Sequence, residues 1–209
     1  MFQELLQRVI NILFKPMDEW RKIQGETWTI QNLFLRYAVI LAAIPAVAGF
    51  IGHAVIGHSV MGISFRIPVG NAILWAVLQY ALSLVSVFAV AFIMDALAPT
   101  FGAQKDQLTS FKVVVFSFTA SWVGGIFHLV PALSVLALLA GIYSLVLLYF
   151  GMKAIRNVPA DKLVGYYVTT LIITIVVMAV VGFLVGAIAL PSVGATASDM
   201  TSEMLRNMR

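Results

Sequence analysis

Long runs of apolar residues without a charged side chain dominate the pattern of this chain. Four such runs are present: Tyr37–Phe65, Ile67–Met94, Val113–Met152 and Leu163–Ser198. A helix needs about 20 apolar residues to cross a lipid bilayer, and the third run is about twice that length. The expected fold is therefore all-α, a polytopic membrane bundle with five transmembrane helices at roughly 33–53, 70–94, 111–130, 132–152 and 166–190.

The third run leaves one question open. Between its two predicted helices stands the almost apolar sequence His128-Leu129-Val130-Pro131. A tight hairpin fits this sequence, since proline is well suited to the first turn of a helix. A re-entrant pair of helices within 113–152 is the alternative.

An amphipathic pattern precedes the first run. Apolar residues recur at three- and four-residue steps, as on one face of a helix: Phe2, Leu5, Leu6, Val9, Ile10, Leu13 and Phe14. The helix either lies in the membrane interface, which we favour, or docks on the bundle or a partner chain. Residues 1–32 are accordingly expected to be a cytoplasmic amphipathic segment, with Trp20 and Trp28 as interfacial anchors.

Composition narrows the class of protein. The chain is 61% hydrophobic and only 11% charged, and it contains no cysteine. Soluble domains carry about 25% charged residues, so a soluble globular protein is excluded. The lack of cysteine excludes disulfides and thiolate metal sites. We find no phosphate-binding loop, metal motif or basic and aromatic stripe, so no cofactor, metal or nucleic acid is expected.

Basic residues are unevenly divided between the two sides of the predicted bundle. Only three of the 13 lysines and arginines fall on the side of the C-terminus: Arg66, Arg206 and Arg209. Cytoplasmic segments carry the excess of lysine and arginine. The N-terminus is therefore predicted to be cytoplasmic, the domain 33–190 to span the membrane, and the tail 191–209 to be extracytoplasmic.

The order and spacing of several short segments resemble a known family. The matching segments begin with Asp95-Ala-Leu-Ala-Pro99-Thr-Phe-Gly102 and continue with Ser110–Ser117, Leu129–Ser134, Ile142–Lys153 and Val158–Tyr166. Phe14-Lys-Pro16-Met-Asp-Glu-Trp20 is similar to the entry segment of the same family. Together these segments resemble the bacterial branch of the Yip1 domain family.

This resemblance implies five spans in a bacterial inner membrane, with a cytoplasmic N-terminus and an extracytoplasmic C-terminus. Eukaryotic relatives are linked to vesicle traffic, Rab-type GTPases and membrane shaping, whereas bacterial members have no assigned activity. The aspartate–glycine–proline signature of the eukaryotic members is matched only by Asp95 and Pro99. Binding of a GTPase is therefore doubtful for this chain.

Asp95 is the centre of the candidate site. It ends the second predicted helix, where its carboxylate faces the negative end of the helix dipole and needs a nearby cation. Lysines on the same side of the membrane could supply this cation: Lys112, Lys153 and Lys162. Together with Pro99, Gly165 and Tyr166, they form a candidate pocket for lipid or a protein partner. A structural ion pair is the alternative.

The function expected from the sequence is therefore non-enzymatic. It is membrane organisation of the Yip1 type, or binding of membrane lipids or a partner protein. The alternative is a small transporter or channel, which the scarcity of intramembrane charge and the lack of an internal repeat disfavour. The step Gly182-x-x-x-Gly186 serves either internal packing or formation of a homo-oligomer.

Overall fold

The computed structural model describes residues 2–60, 63–65 and 68–189 of the chain. Two short helices come first, α1 (Phe2–Phe14) and α2 (Pro16–Gly25). Five longer helices follow: α3 (Ile30–Ile56), α4 (Val69–Phe101), α5 (Gln107–Leu129), α6 (Ser134–Ile155) and α7 (Ala160–Ala189). Between α3 and α4, strands β1 (His58–Val60) and β2 (Ile63–Phe65) form a small antiparallel hairpin in which His58 pairs with Phe65.

The five longer helices are each long and apolar enough to cross a membrane. This confirms the predicted five-span helical fold, with helix ends that differ from the prediction by several residues. The run 113–152 forms two separate helices, joined by Val130 and a single 3₁₀ turn, Pro131–Leu133. Arg66 and the tail 191–209 lie outside the described residues.

Helix α5 occupies the centre of the bundle. Within its most apolar window 78% of the residues are buried, against 17% to 39% for the other spans. The outer helices instead expose aliphatic side chains, as in Ile172 and Val176 of α7. Such surfaces are stable in hydrocarbon but not in water, so the arrangement is that of a bundle surrounded by lipid.

Close contact between α3 and α5 depends on two irregular helices. Pro45 lies inside α3 and cannot donate a backbone hydrogen bond, which weakens the helix there. Gly125 packs on it, and a Cβ atom at Gly125 would lie only 2.4 Å from the Cβ of Pro45. Helix α5 is itself interrupted at Phe118, where no proline is present. The side chains of Tyr37 and Thr119 share a buried hydrogen bond of 2.8 Å just beyond this break.

Helices α1 and α2 fold back on each other and enter the bundle. The hydroxyl of Tyr143 donates a hydrogen bond of 2.7 Å to the carbonyl of Leu13, near the turn between them. Tyr143 lies twelve residues before Ile155, the end of α6, which corresponds to roughly 18 Å along the helix. The turn between α1 and α2 therefore lies beside the spans, well along the length of α6, rather than beyond its end.

This position corrects the prediction for residues 1–32. The helix predicted from the apolar periodicity is present, but one flank of its apolar face docks on the bundle, where Val9 and Ile12 are buried. The other flank stays exposed, with 73% exposure at Phe2 and 78% at Phe14. The segment is thus a helical hairpin packed into the bundle with one lipid-accessible edge, rather than a helix lying flat in the interface.

Trp20 is a core residue, which contradicts its predicted role as an interfacial anchor. The side chain is completely buried and meets the ring of Phe116 edge-on at 6.1 Å. On its other side lies Gly151, where a Cβ atom would approach the indole ring to 2.7 Å. The absence of a side chain at Gly151 therefore allows α2 to pack closely against α6.

Candidate functional site

One end of the bundle carries most of the charged residues and is called the basic end here. It comprises the connections α2–α3, α4–α5 and α6–α7. At its centre the guanidinium of Arg156 pairs with the carboxylate of Asp95 at 3.3 Å, and the side chains are 1% and 15% exposed. Arg156 also donates to the backbone carbonyl of Asp106 at 3.4 Å. The cation that Asp95 needs is therefore an arginine near the end of α6.

Tyr166 closes this cluster from α7. Its buried hydroxyl donates to the carbonyl of Met94 and accepts from the guanidinium of Arg156 at 3.4 Å. The ring of Phe101 stacks on the Tyr166 ring at 5.1 Å, and a Cβ atom at Gly165 would lie 3.3 Å from Phe101. Two of the predicted site residues, Asp95 and Tyr166, thus meet around Arg156, and a third, Gly165, lies against Phe101.

Pro99 shapes the turn that brings Phe101 onto the cluster. It lies in the 3₁₀ turn Ala98–Phe101, which ends at Gly102 with a φ of 76°. Such a conformation strongly favours glycine, because it brings a Cβ atom too close to the backbone. The predicted involvement of this turn is therefore structural: it positions an aromatic ring over Tyr166.

The predicted contact between Asp95 and a lysine is wrong. No lysine ammonium lies within 4.0 Å of Asp95 in the part of the chain that the structure describes. Lys112 is buried and donates to the backbone carbonyl of Glu26 at 2.8 Å. Lys162 lies over Gly102, and Lys153 is exposed on α6. Residues at the same depth on different helices need not face each other, so depth alone could not identify the cation that pairs with Asp95.

Asp106 joins the Asp95 cluster to the start of α5. Its backbone N–H donates to Asp95 at 2.7 Å, and its carboxylate accepts from the N–H and hydroxyl of Thr109 at 2.9 Å and 2.6 Å. Burial alone would raise the pKa of Asp106. The hydrogen bonds from Thr109 and the charge of Arg156 outweigh this effect and lower the pKa. Asp106 is therefore a stable, charged N-cap.

A second charged cluster lies inside the hairpin. The guanidinium of Arg8 binds the carboxylates of Glu19 and Glu26, each at 2.5 Å. The ammonium of Lys22 lies 3.3 Å from Glu19, whose side chain is only 4% exposed. This cluster corrects the expectation that the bundle interior holds almost no charged groups. It was missed because the hairpin was expected to lie outside the bundle.

Phe116 of α5 connects the hairpin to the first span. The guanidinium of Arg8 lies 5.8 Å from the centre of its ring. The rings of Trp28 and Tyr37 meet it edge-on at 5.9 Å and 4.9 Å. A cation over an aromatic face and edge-on aromatic pairs are both stabilising arrangements. Phe116 therefore fixes the position of Arg8 as well as packing the core.

A cleft of about 570 Å³ lies between the hairpin and α3. It is lined by acidic, basic, aromatic and amide side chains, namely Glu4, Arg8, Glu26, Trp28, Asn32, Arg36 and Tyr37. Arg36 is exposed, and its guanidinium forms no hydrogen bond or ion pair with any described residue. The cleft therefore contains a charged donor that the protein itself leaves unused.

The carboxylate of Glu26, by contrast, is engaged. It accepts from Arg8 and from the indole N–H of Trp28, the latter at 2.9 Å. Burial alone would raise the pKa of Glu26, but these hydrogen bonds and the charges of Arg8 and Lys112 outweigh it and lower the pKa. Glu26 is thus held as an anion that organises one wall of the cleft, and Trp28 lines the cleft as its donor.

The chain is similar to a known protein family and to proteins of a bacterial inner membrane. The model of the Yip1 domain matches residues 10–193, which is most of the chain. The chain belongs to the Yip1 domain family. Two relatives of this family member are the inner membrane protein YohC of Escherichia coli K12 and its counterpart in Escherichia coli O6:H1 strain CFT073. Each is 23% identical over 179 residues, covering 84% of this chain and 92% of the relative.

No solved structure matches this Yip1 domain protein. The match begins at residue 10, so it includes most of the hairpin as well as the five spans. Arg156, which organises the basic end, and Arg36, which lines the cleft, were not predicted as site residues. Arg36 immediately precedes the charge-free run Tyr37–Phe65, a signal that could have identified it.

Proposed function

We propose that this Yip1 domain protein is a non-enzymatic protein of a bacterial inner membrane that binds anionic phospholipid headgroups at its basic end, facing the cytoplasm. The site is the cleft between the α1–α2 hairpin and α3. Family membership, five apolar spans and an inner membrane relative support the location. The acidic residues of both clusters are held in ion pairs, which favours binding over acid–base catalysis.

Arg36 is the observation that carries this proposal. It is exposed and directly precedes the charge-free part of the first span. A basic side chain next to a span on the cytoplasmic side attracts anionic lipid headgroups. Because the guanidinium is planar and carries several donors, it binds a phosphate through two hydrogen bonds at once. A lipid phosphate at the membrane surface is a partner of the right charge and location.

The rest of the cleft suits a phospholipid headgroup. The amide of Asn32 and the hydroxyl of Thr27 add uncharged polar groups, and Trp28 presents an amphipathic ring of the kind found at headgroup level. Phosphatidylglycerol carries the phosphate anion that Arg36 would bind and no cationic group, so it is the headgroup we use for the test.

Arg156 is a less suitable anchor for a headgroup. It also faces a cleft, of about 550 Å³, which Lys105 and Asn157 line. Its guanidinium, however, is already bound by Asp95, the Asp106 carbonyl and Tyr166. A lipid phosphate would have to displace these partners, whereas at Arg36 it would displace only solvent.

The test compares two charge-removing variants at the same end of the protein. Arg36→Gln removes the proposed anchor. Arg21→Gln is the matched control, because Arg21 is 74% exposed and lies 3.9 Å from Asp18, a pair of little energetic value. The thermal midpoint is measured in neutral detergent with added phosphatidylglycerol or phosphatidylcholine, and bound lipid is counted by native mass spectrometry.

The wild-type protein and Arg21→Gln should both be stabilised by phosphatidylglycerol more than by phosphatidylcholine. Arg36→Gln should lose at least half of this difference and should retain less bound phosphatidylglycerol. If Arg36→Gln responds to both lipids as the wild type does, Arg36 does not hold a headgroup and the proposal is wrong.

A further inference from the structure

A second cavity lies inside the membrane-spanning part, away from the basic end. Its volume is about 410 Å³, and all five spans line it, through residues such as Pro45, Gln79, Ser121, Gly141 and Met178. This volume falls within the usual range for small-molecule sites, roughly 300–1,000 Å³. The cavity shares no lining residue with the cleft at Arg36 and is therefore a separate site.

Several polar groups in this cavity have no partner in the protein. The amide of Gln79, the imidazole of His128 and the hydroxyl of Ser121 form no hydrogen bond with any described residue. The backbone N–H of Ser121 donates to the hydroxyl of Ser144 at 2.8 Å, which leaves the Ser121 hydroxyl itself unused. Polar groups within a bilayer are costly when they lack a hydrogen-bonding partner. An occupant that supplies donors and acceptors would satisfy these groups.

Other polar groups in the cavity are already used and form its fixed wall. The indole N–H of Trp122 donates to the hydroxyl of Ser83 at 3.0 Å, and the Ser86 hydroxyl donates to the Ser83 carbonyl at 2.7 Å. The first of these bonds ties Trp122 of α5 to α4. The unused groups of Gln79, Ser121 and His128 therefore line the cavity beside side chains that are already hydrogen-bonded.

The chemistry of the lining selects for an uncharged occupant. None of its residues is aspartate, glutamate, lysine or arginine, and apolar side chains complete the wall, among them Phe118, Leu138 and Val181. A charged molecule would lose its hydration there without gaining a counter-charge. A neutral molecule with an apolar body and one or two hydrogen-bonding groups matches both parts of the lining.

The cavity reaches the outer surface of the bundle. Two of its lining residues are exposed there, Leu138 of α6 by 65% and Met178 of α7 by 37%. A small void of about 10 Å³ shares Phe118 with the cavity and is otherwise lined by residues that include Val90, Ser117, Leu148 and Thr174. That is roughly the space of a single water-sized probe, so the void does not extend the cavity appreciably.

We infer that this cavity is a binding site for a small, uncharged, hydrogen-bonding molecule. The inference rests on the unused polar groups and the charge-free lining. It is independent of the lipid site at Arg36.

The chain contains no cysteine, so a single introduced thiol can report access to the cavity. Ser121→Cys places the thiol in the cavity, and Gln79→Cys is a second such variant in case the first does not fold. Val85→Cys is the matched control, because Val85 is 60% exposed on the outer face of α4. The probe is hydroxyethyl methanethiosulfonate, which is small and neutral. Its trimethylammonium and sulfonate analogues carry opposite charges.

The neutral reagent should modify Ser121→Cys at least tenfold faster than Val85→Cys, and at least tenfold faster than either charged reagent does. Adding Gly141→Phe should slow this reaction at least tenfold. A Cβ atom at Gly141 meets no atom within 4 Å, so the ring can fill the cavity without a clash at its base. Folding of each variant is checked by its elution volume and thermal midpoint.

Three results would overturn the inference. Equal rates at 121 and 85 would mean that the cavity is closed to solutes. Equal rates with all three reagents would mean a water-filled vestibule without preference for neutral molecules. A Gly141→Phe variant that leaves the rate unchanged would mean that the reagent reaches Ser121→Cys by another route.

Discussion

Replacing Asp95 with asparagine tests the ion pair that organises the basic end. The Arg156 side chain is 1% exposed and would keep its charge without a counter-ion, whereas the Asp95 side chain retains 15% exposure. Removing one member of a buried ion pair costs about 3–5 kcal/mol. We expect a loss of about 3 kcal/mol in the free energy of unfolding, the lower end of that range, because part of Asp95 stays in contact with solvent.

A double-mutant cycle separates the two candidate partners of Asp95. Arg156→Met removes the charge that would otherwise be left buried, so Asp95→Asn with Arg156→Met should show a coupling of at least about 1.5 kcal/mol. Lys162→Met serves as the control, and its effect should add to that of Asp95→Asn within about 0.5 kcal/mol. Unfolding is measured by titration with sodium dodecyl sulfate in mixed micelles, followed by circular dichroism. Coupling to Lys162 together with additivity at Arg156 would refute the ion pair described above.

Three further predictions test the packing of the hairpin, the charge of Glu26 and the orientation of the bundle in the membrane. Gly151→Leu should destabilise the protein by about 1–3 kcal/mol, because even a Cβ atom at this position would lie 2.7 Å from the Trp20 ring. Gly141→Leu is the control and should have little effect, since a Cβ atom there meets no atom within 4 Å. The pKa of Glu26 is lowered from its usual 4.5, so its stabilising contribution is present above about pH 4.5 and lost as the pH falls through the folded pKa. Glu26→Gln should therefore flatten the loss of stability in this acid range. Lys105→Cys should resist an impermeant thiol reagent added outside intact cells, and labelling there would contradict a cytoplasmic basic end.

The number of spans could be predicted from the sequence because a membrane span depends mainly on the length and hydrophobicity of one continuous segment. A helix in lipid must satisfy its backbone internally and must be apolar over a fixed length. The helix Phe2–Phe14 was equally accessible from its periodicity. The position of the hairpin in the bundle could not be predicted in this way. The burial of Trp20 depends on Gly151, which lies more than a hundred residues later in the chain.

The candidate site could be predicted in part. Asp95 could be identified as a carboxylate that needs a cation, because it ends a helix and faces the negative end of the helix dipole. Its partner could not be chosen among Arg156 and the lysines, because the choice depends on how α4, α6 and α7 are rotated about their axes. The second cluster escaped prediction for a related reason. Arg8 and Glu19 look like surface residues of an interfacial helix until α1 and α2 are seen to fold back into the bundle.

The most direct test of the lipid site is solid-state NMR in bilayers that contain phosphatidylglycerol. Dephasing of arginine side-chain ¹⁵N signals by lipid ³¹P reports phosphate within about hydrogen-bonding reach of a guanidinium. The account predicts strong dephasing in the wild type and in Arg21→Gln, and loss of that component in Arg36→Gln. Identical dephasing in the wild type and Arg36→Gln would contradict it, because no phosphate would then occupy the cleft between the hairpin and the first span.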